Sequence, residues 1–597
     1  MKEFNEFQEF NEFSPARTPL RWIALGTVVV AALVATQPPS SAAIRLNQLG
    51  FPPNAAKVAV VADSAATTFA VLRADAPNDT VLAGTLSPPE RWAPSQETVR
   101  RADFSRLTRP GRYVLAVPHV GRSAPFEVAA APYRELARAA VKAFYFQRAS
   151  TALPAAYAGR WARAAGHPDD RVVVHPSAAS VPRPAGTVIA APGGWYDAGD
   201  YNKYVVNSGI STYTLLLVTE HFPEEAAALG TGIPESGNAL PDALDEALWN
   251  LRWMRRMQDP SDGGVYHKLT TAEFDRFEPP ARDTATRYVV QKSTAAALDF
   301  AAVAAHASLV VRRWPRALPG LADSLAREAL AAWWWARLHP DSTYDQRRLN
   351  AHFAPPINTG DYGDGRLDDE RAWAAAELFL ATRADSFLVI AAPLAPQAYD
   401  VPSWPSVRTL GLYSLVDHRR ELPRGFDTTA LIRRLTILGD TLVARARASA
   451  YGVPMTERDF EWGSNAVAAN QGVALVQLWR ATGDTAALGT ARAVLDYLLG
   501  RNATGYSFVT GFGARTPMHP HHRPSEADTV VAPVPGMLVG GPNPGQQDRC
   551  AGYPSRVPAR SWVDSTCAYA ANEVAINWNA PLAYLAAALD AADHRRP

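Results

Sequence analysis

The apolar pattern divides the chain into two textures. Residues 44–131 carry short β-like runs at 57–61, 68–72 and 111–117, separated by Pro, Asn and Asp turns, which predict the strands of a small β-sandwich. After Pro132 the periodicity changes. Ala- and Leu-rich stretches with apolar residues at helical spacing occupy 133–149, 241–258, 293–311, 369–381, 428–448, 464–479 and 484–499. They predict a mainly α domain over residues 132–597, with helices joined by loops rich in Gly, Pro and Asp, and loops of that length on a helical scaffold tend to carry function. Ahead of both textures, Arg17 and Arg21 precede an apolar run at 22–35 and the small residues Ser40-Ser41-Ala42-Ala43. Residues 1–43 therefore read as a signal peptide with an N-terminal extension, in a run too short to cross a bilayer comfortably, and an uncleaved anchor is the alternative. A secreted or periplasmic protein with no membrane partner after cleavage is expected.

A chain of 597 residues exceeds what one compact core organises, in agreement with the two textures. Lys and Arg number 59 against 58 Asp and Glu, a formal charge of +1, so no electrostatic case exists for nucleic acid or an anionic surface as partner. An uncharged ligand fits better. The 16 Trp, 20 Tyr and 21 Phe include flat faces suited to sugar rings, although most serve packing. Cys550 and Cys567 suit a disulfide in an exported protein, with two free thiols as the other reading.

Three segments concentrate chemistry. In Gly193-Gly194-Trp195-Tyr196-Asp197-Ala198-Gly199-Asp200-Tyr201-Asn202-Lys203-Tyr204, two carboxylates three positions apart can face one water or one metal, while an Asp-rich turn bonded to its own backbone is the bland alternative. Thr516-Pro517-Met518-His519-Pro520-His521-His522-Arg523 lacks a zinc-like ligand spacing and suits a polar grip on sugar hydroxyls, or else a solvated loop. In the stretch from Trp562 to Ala580, Glu573 adjoins an apolar helical start; desolvation there keeps a proton on the carboxyl, as a general acid requires, and a buried salt-bridged Glu would read the same.

Together the three segments resemble glycoside hydrolase family 9. The resemblance rests on Asp197-Ala198-Gly199-Asp200-Tyr201, on Pro520-His521-His522-Arg523, and on the spacing of Asp564, Tyr569, Glu573 and Asn579-Ala580, while Ile44-Arg45-Leu46-Asn47-Gln48-Leu49-Gly50-Phe51 is similar to the start of the immunoglobulin-like module that precedes the catalytic domain in one branch of the family. It implies a mainly α fold, an (α/α)6 barrel preceded by a small immunoglobulin-like β-sandwich. It further implies inverting hydrolysis of β-1,4-glucosidic bonds in cellulose or a related β-glucan, probed by Asp200 as general base, Asp197 as its helper and Glu573 as general acid. Asp564 would orient its neighbours, His521 and Arg523 would bond sugar hydroxyls, and Trp462 and Trp404 would stack on sugar, with core packing the competing reading for both.

No cofactor is expected for catalysis. The resemblance implies a structural Ca²⁺ held by Asp369, Glu370 and the Thr359-Gly360 stretch, against helix N-capping by Asp368 and Asp369. Two departures from the family pattern, Tyr196 in place of His and Asn202 in place of Gly, predict an altered subsite shape, and the chain lacks the cysteines of a zinc site near 147–149 and 165–167. The alternatives are a glycosidase of the same family acting on mixed-linkage glucan, xyloglucan or chitosan oligosaccharide, and a non-catalytic carbohydrate-binding protein. The expected partner is a polysaccharide or oligosaccharide and the expected state a monomer.

Overall fold

The structure, a computed structural model, describes residues 40–76, 78–391 and 400–594. The proposed leader falls mostly on residues 1–39 and lies outside the described residues.

Two sheets form the sandwich. The first runs β1 (Ile44–Arg45), β3 (Val58–Val61), β7 (Glu97–Asp103), β6 (Glu90–Trp92), antiparallel throughout. The second runs β2 (Gly50–Phe51), β10 (Phe126–Val128), β8 (Gly111–Val117), β4 (Thr68–Arg73), β5 (Thr80–Thr85), with β9 (Gly121–Arg122) beside β8. Side chains alternate across a strand, and β3 is apolar on both faces for a reason. Ala59 and Val61 join the sandwich core, while Val60, with Trp92 and Val99, joins the core of the helical domain. The first sheet is thus buried on both sides. At its margin, Arg45 makes a bidentate pair with Glu97 (2.7 and 2.8 Å), whose carboxylate also accepts from the Tyr451 hydroxyl at 3.0 Å.

Among the described residues twelve helices build the barrel: α1 (Arg134–Phe146), α2 (Val205–His221), α3 (Asp242–Met257), α4 (Thr294–Val311), α5 (Leu321–Leu338), α6 (Asp368–Thr382), α7 (Asp385–Ala391), α8 (Arg408–Asp417), α9 (Thr428–Arg447), α10 (Ser464–Thr482), α11 (Thr485–Leu498) and α12 (Ile576–His594). The even-numbered helices pack in a closed ring, α2 on α4, α6, α8, α10, α12 and back to α2, and the odd-numbered ones lie outside it. This is an (α/α)6 barrel preceded by a β-sandwich. Inner helices are buried all round: α4 is long and apolar enough to cross a membrane, yet 94% of it is enclosed by protein. Its alanines let neighbouring helices approach closely, and Ser293 caps it by accepting the Ala296 N–H at 3.2 Å. Outer helices such as α1 and α9 keep a charged face toward solvent.

Because inner helices alternate with outer ones that return the chain, all six inner N-termini open at the same end of the ring. The segments entering them build that end. A small sheet not foreseen from the sequence stiffens one side, in the order β12 (Val188–Ile189), β11 (Val172–Val174), β15 (Tyr288–Val289), β14 (Lys268–Thr270), β13 (Lys203–Tyr204). Strand β13 leads straight from the Asp197–Asp200 loop into α2.

Candidate active site

A cavity of about 720 Å³ opens at the N-terminal end of the inner ring. Asp197, Asp200 and Tyr204 reach it from the entry to α2, Tyr362 from the entry to α6, Trp404 from the entry to α8, Trp462 from the entry to α10, and Glu573 from the entry to α12. Helix N-termini present unpaired N–H groups and the positive end of the helix dipole, which favours acidic side chains at this end.

Backbone hydrogen bonds stitch the three sequence motifs into one unit. The Asp197 N–H donates to the Asn202 carbonyl at 3.0 Å and closes the first loop. The Asp197 carbonyl accepts from the Ile576 N–H at 2.8 Å, the Gly199 carbonyl from the Arg523 N–H at 3.0 Å, and the Asn572 carbonyl from the His521 N–H at 2.9 Å. Glycine is required at 199: a β-carbon there would lie 2.1 Å from the His521 carbonyl oxygen. The Gly199 N–H instead donates to Oε1 of Glu573 at 3.3 Å, bringing the carboxyl of the third motif onto the loop of the first.

Asp197 and Asp200 are almost fully buried but differ in their donors. Asp197 Oδ1 accepts from Asn207 Nδ2 and Oδ2 from the Tyr362 hydroxyl, each at 2.8 Å. Asp200 Oδ2 accepts from Asn202 Nδ2 at 2.6 Å and from the Tyr204 hydroxyl at 3.5 Å. Burial, with the charge of Asp200 nearby, pushes the Asp197 carboxyl up to about 8. The same two causes, in the same order, hold Glu573 well above the ordinary carboxylate range, opposed by the positive charge of Arg523. Glu573 therefore keeps its proton at neutral pH.

His521 donates through Nδ1 to the Thr566 carbonyl at 2.7 Å; a carbonyl can only accept, so Nε2 is the unprotonated nitrogen. Burial lowers its basicity and keeps the ring neutral. Arg523 is anchored to the Gly199 carbonyl through Nη1 and to the Asp275 carbonyl through Nε, both at 2.9 Å, with its guanidinium 5.8 and 5.3 Å from the ring centres of Phe274 and Phe277. Asp564 accepts the Met518 and His519 N–H groups at 2.8 and 2.9 Å and the Asn572 amide at 3.1 Å, so its carboxylate organises the loop carrying His521 and does not line the cavity. Trp462 is 42% exposed beside Tyr569, and Trp404 packs edge-on to Tyr362. Cys550 and Cys567 form a disulfide with Cα atoms 5.4 Å apart.

Two expectations are corrected. Thr359 and Gly360 do not join Asp369 and Glu370 as calcium ligands, because they already serve an ammonium group: Lys268 Nζ donates to Thr359 Oγ1 at 3.1 Å and to the Gly360 carbonyl at 2.5 Å, and the Thr359 carbonyl accepts from Gln346. Asp369 Oδ2 accepts the Val407 N–H at 2.9 Å, and burial, followed by the charge of Asp299, pushes the Glu370 carboxyl up. Among the described residues no group of three or more His, Cys, Asp or Glu side chains is placed to hold a metal ion. Nor do Asp368 and Asp369 cap their helix, since both lie inside its first turn and the cap position is Leu367. The second correction concerns Tyr196 and Asn202. Both are fully buried behind the cavity, Tyr196 with its hydroxyl 2.8 Å from His167 Nδ1, so neither shapes a sugar subsite directly.

Sequence reasoning missed Asn207, Tyr204, Tyr362 and Phe274. Asn207 and Tyr204 follow the acidic loop within one turn of helix, among the β-branched and small polar residues that hide that helix; Tyr362 and Phe274 sit on loops remote in sequence.

The family model described as Glycosyl hydrolase family 9 matches residues 133–586, and that described as Cellulase N-terminal ig-like domain matches residues 39–122. A xyloglucan-specific endo-beta-1,4-glucanase of Bacteroides ovatus is 44% identical over 582 residues, spanning 96% of this chain and 98% of that protein. Endoglucanase D of Acetivibrio thermocellus is 31% identical over 547 residues, spanning 91% of this chain and 82% of that protein. Among solved structures, a Bacteroides ovatus GH9 protein superposes with a TM-score of 0.88 at 43% identity, over 92% of this chain and 99% of that one. A thermostable endoglucanase of Alicyclobacillus acidocaldarius superposes with a TM-score of 0.83 at 33% identity, over 92% of this chain and 100% of that one.

Proposed function

The chain belongs to glycosyl hydrolase family 9 and is a glycoside hydrolase, and from that premise we propose that it cleaves β-1,4-glucosidic bonds in a β-glucan with inversion of the anomeric carbon. Asp200 takes a proton from water as that water attacks the anomeric carbon, Asp197 holds the water, and Glu573 gives its proton to the departing glycosidic oxygen. One observation carries this reading: Glu573, protonated through burial and the nearby charge of Asp200, is seated on the Gly199 N–H inside the loop that presents Asp197 and Asp200. The paired environments divide the labour between acid and base. The exposed faces of Trp462 and Phe274 supply sugar contacts along the cavity, and His521, which does not line it, keeps an unprotonated Nε2 behind it.

The 44% identical relative, named as xyloglucan-specific, favours a β-1,4-glucan backbone bearing side groups over an unbranched chain. The leader-like residues 17–43 support export to the polysaccharide. Xyloglucan, mixed-linkage glucan and a soluble cellulose derivative are to be hydrolysed in parallel by the wild type and by Asp200→Asn. The expected result is xyloglucan cleaved at the highest kcat/KM and an inactive variant on every substrate. A variant with the wild-type rate would remove Asp200 as the base, and equal rates on all three glucans would remove the xyloglucan assignment.

A further inference from the structure

The base has a holder that the reaction, as described so far, does not use. Asn202 is fully buried and donates through Nδ2 to Asp200 Oδ2 at 2.6 Å, the shortest contact made to that carboxylate among the described residues. The orientation of its amide is decided by a group that can only donate. The Thr271 backbone N–H points at Asn202 Oδ1 at 2.9 Å, so the oxygen faces Thr271 and the NH₂ faces Asp200. The hydroxyls of Thr270 and Thr271 lie 2.9 and 3.2 Å from the same oxygen. Thr270 belongs to strand β14, which pairs with β13 immediately after Asn202, so the clamp is mounted on sheet and not on a free loop. The Asn202 carbonyl meanwhile closes the acidic loop by accepting the Asp197 N–H.

We propose that Asn202 is a positioning residue for the hydrolytic base: its sheet-anchored amide holds one oxygen of Asp200 and thereby aims the other at the attacking water. A hydrogen bond to a carboxylate is stronger than one between neutral groups, and fixing one oxygen removes rotation of the carboxyl about its own axis. Asn202 does not line the cavity and touches no sugar, so its loss acts on turnover and leaves substrate binding alone.

This inference rests on Asp200 being the base, so Asp200→Asn is assayed beside Asn202→Ala, Asn202→Asp and Thr270→Val on one soluble glucan and on 2,4-dinitrophenyl β-cellobioside. Asn202→Asp keeps the shape but sets an acceptor against an acceptor. The expected loss in kcat is about 100-fold for Asn202→Asp and about 10- to 100-fold for Asn202→Ala, the scale of a misplaced reacting group, with KM within about twofold. Thr270→Val, which keeps the side-chain volume, lowers kcat about threefold, the effect of loosening one of several anchors. The defects persist on the dinitrophenyl glycoside, because its leaving group needs no proton while water still needs a base; a general loss of folding would lower the melting temperature and the folded fraction, and kcat per folded molecule would then stay at the wild-type value. If Asp200→Asn is inactive while both Asn202 variants keep kcat within twofold, the positioning role is wrong and the base assignment stands. If Asp200→Asn is active, the base assignment is wrong and the role of Asn202 falls with it.

Discussion

The two ends of the inner helical ring hold the same kinds of side chain and use them in opposite ways. At the N-terminal end, Asp197, Asp200 and Glu573 share a buried site, and their polar partners are neutral: Asn202, Tyr204, Asn207, Tyr362 and a backbone N–H. Toward the C-terminal end, each carboxylate has a basic partner. His306 lies 3.2 Å from Glu220 and 3.1 Å from Glu377, His221 lies 2.8 Å from Asp417, and Arg480 bonds Asp417 at 2.8 Å. Burial alone would raise Glu220 and Asp417, yet the histidines beside them, with Arg480 for Asp417, hold both below the ordinary range. The helix dipoles assist both arrangements, acids at the N-termini and cations toward the C-termini. A buried carboxylate paired with a cation is structural; one left with neutral donors keeps a proton to give or a lone pair to use.

Removing the proton donor breaks the comparison most severely. Glu573→Gln is expected to lower kcat on glucan about 1,000-fold, within the range for general acid catalysis, and to recover most of its rate on 2,4-dinitrophenyl β-cellobioside. Steady-state kinetics on both substrates check this. Asp197→Asn should cost about 100-fold in kcat with KM unchanged, as expected if it holds the water and not the sugar. The pH profile sharpens the contrast further. Glu573 is the acid in its protonated form, and its carboxyl lies well above the usual range, so the limb of kcat/KM that reports loss of that proton should lie on the alkaline side of pH 7. Activity already lost as pH rises between 5 and 6 would count against the desolvated acid.

At the other end the expected effect is on stability. Burial depresses the basicity of His306, but Glu377 and Glu220 together push it up to about 10. A folded-state value above the unfolded one, about 6.5, means that its contribution is complete below about pH 6.5 and is lost as pH rises through about 10. His306→Gln leaves the buried Glu377 without its cation, while Glu220 keeps His418 at 3.1 Å, and should destabilise the fold by about 3 kcal/mol at pH 7, read by denaturant unfolding, with kcat of the folded fraction unchanged. The smallest expected effect is at the cavity rim: Trp462→Ala loses a partly exposed ring face worth about 1 kcal/mol, raising KM about fivefold at constant kcat.

Periodicity revealed some elements and hid others. Helices α1, α3, α4, α6, α9, α10 and α11 stand within a few residues of where apolar spacing puts them. Helix α2 was invisible because it is buried on every side and reads Val-Val-Asn-Ser-Gly-Ile-Ser-Thr-Tyr-Thr, with β-branched and small polar residues where an amphipathic stripe is sought. The ring is what makes it helical. The acidic loop was legible because glycines and carboxylates recur within a few positions, yet its supports were not. Asn202 reads from sequence as a change of subsite shape, but it does not line the cavity and its amide donates to the base. The Thr359-Gly360 half of the calcium reading failed for a related reason: Lys268, ninety-odd positions upstream in sequence, fills the place of a cation beside Thr359 and Gly360, and no local pattern announces it.

The stereochemistry of the first product tests the division into base and acid most directly. Proton NMR of a soluble β-1,4-glucan or xyloglucan digest, followed from the first minutes before mutarotation, should record the α-anomer at the new reducing end appearing first and the β-anomer only later. A β-anomer formed first would mean a covalent intermediate on the enzyme and would contradict Asp200 as a base acting on water.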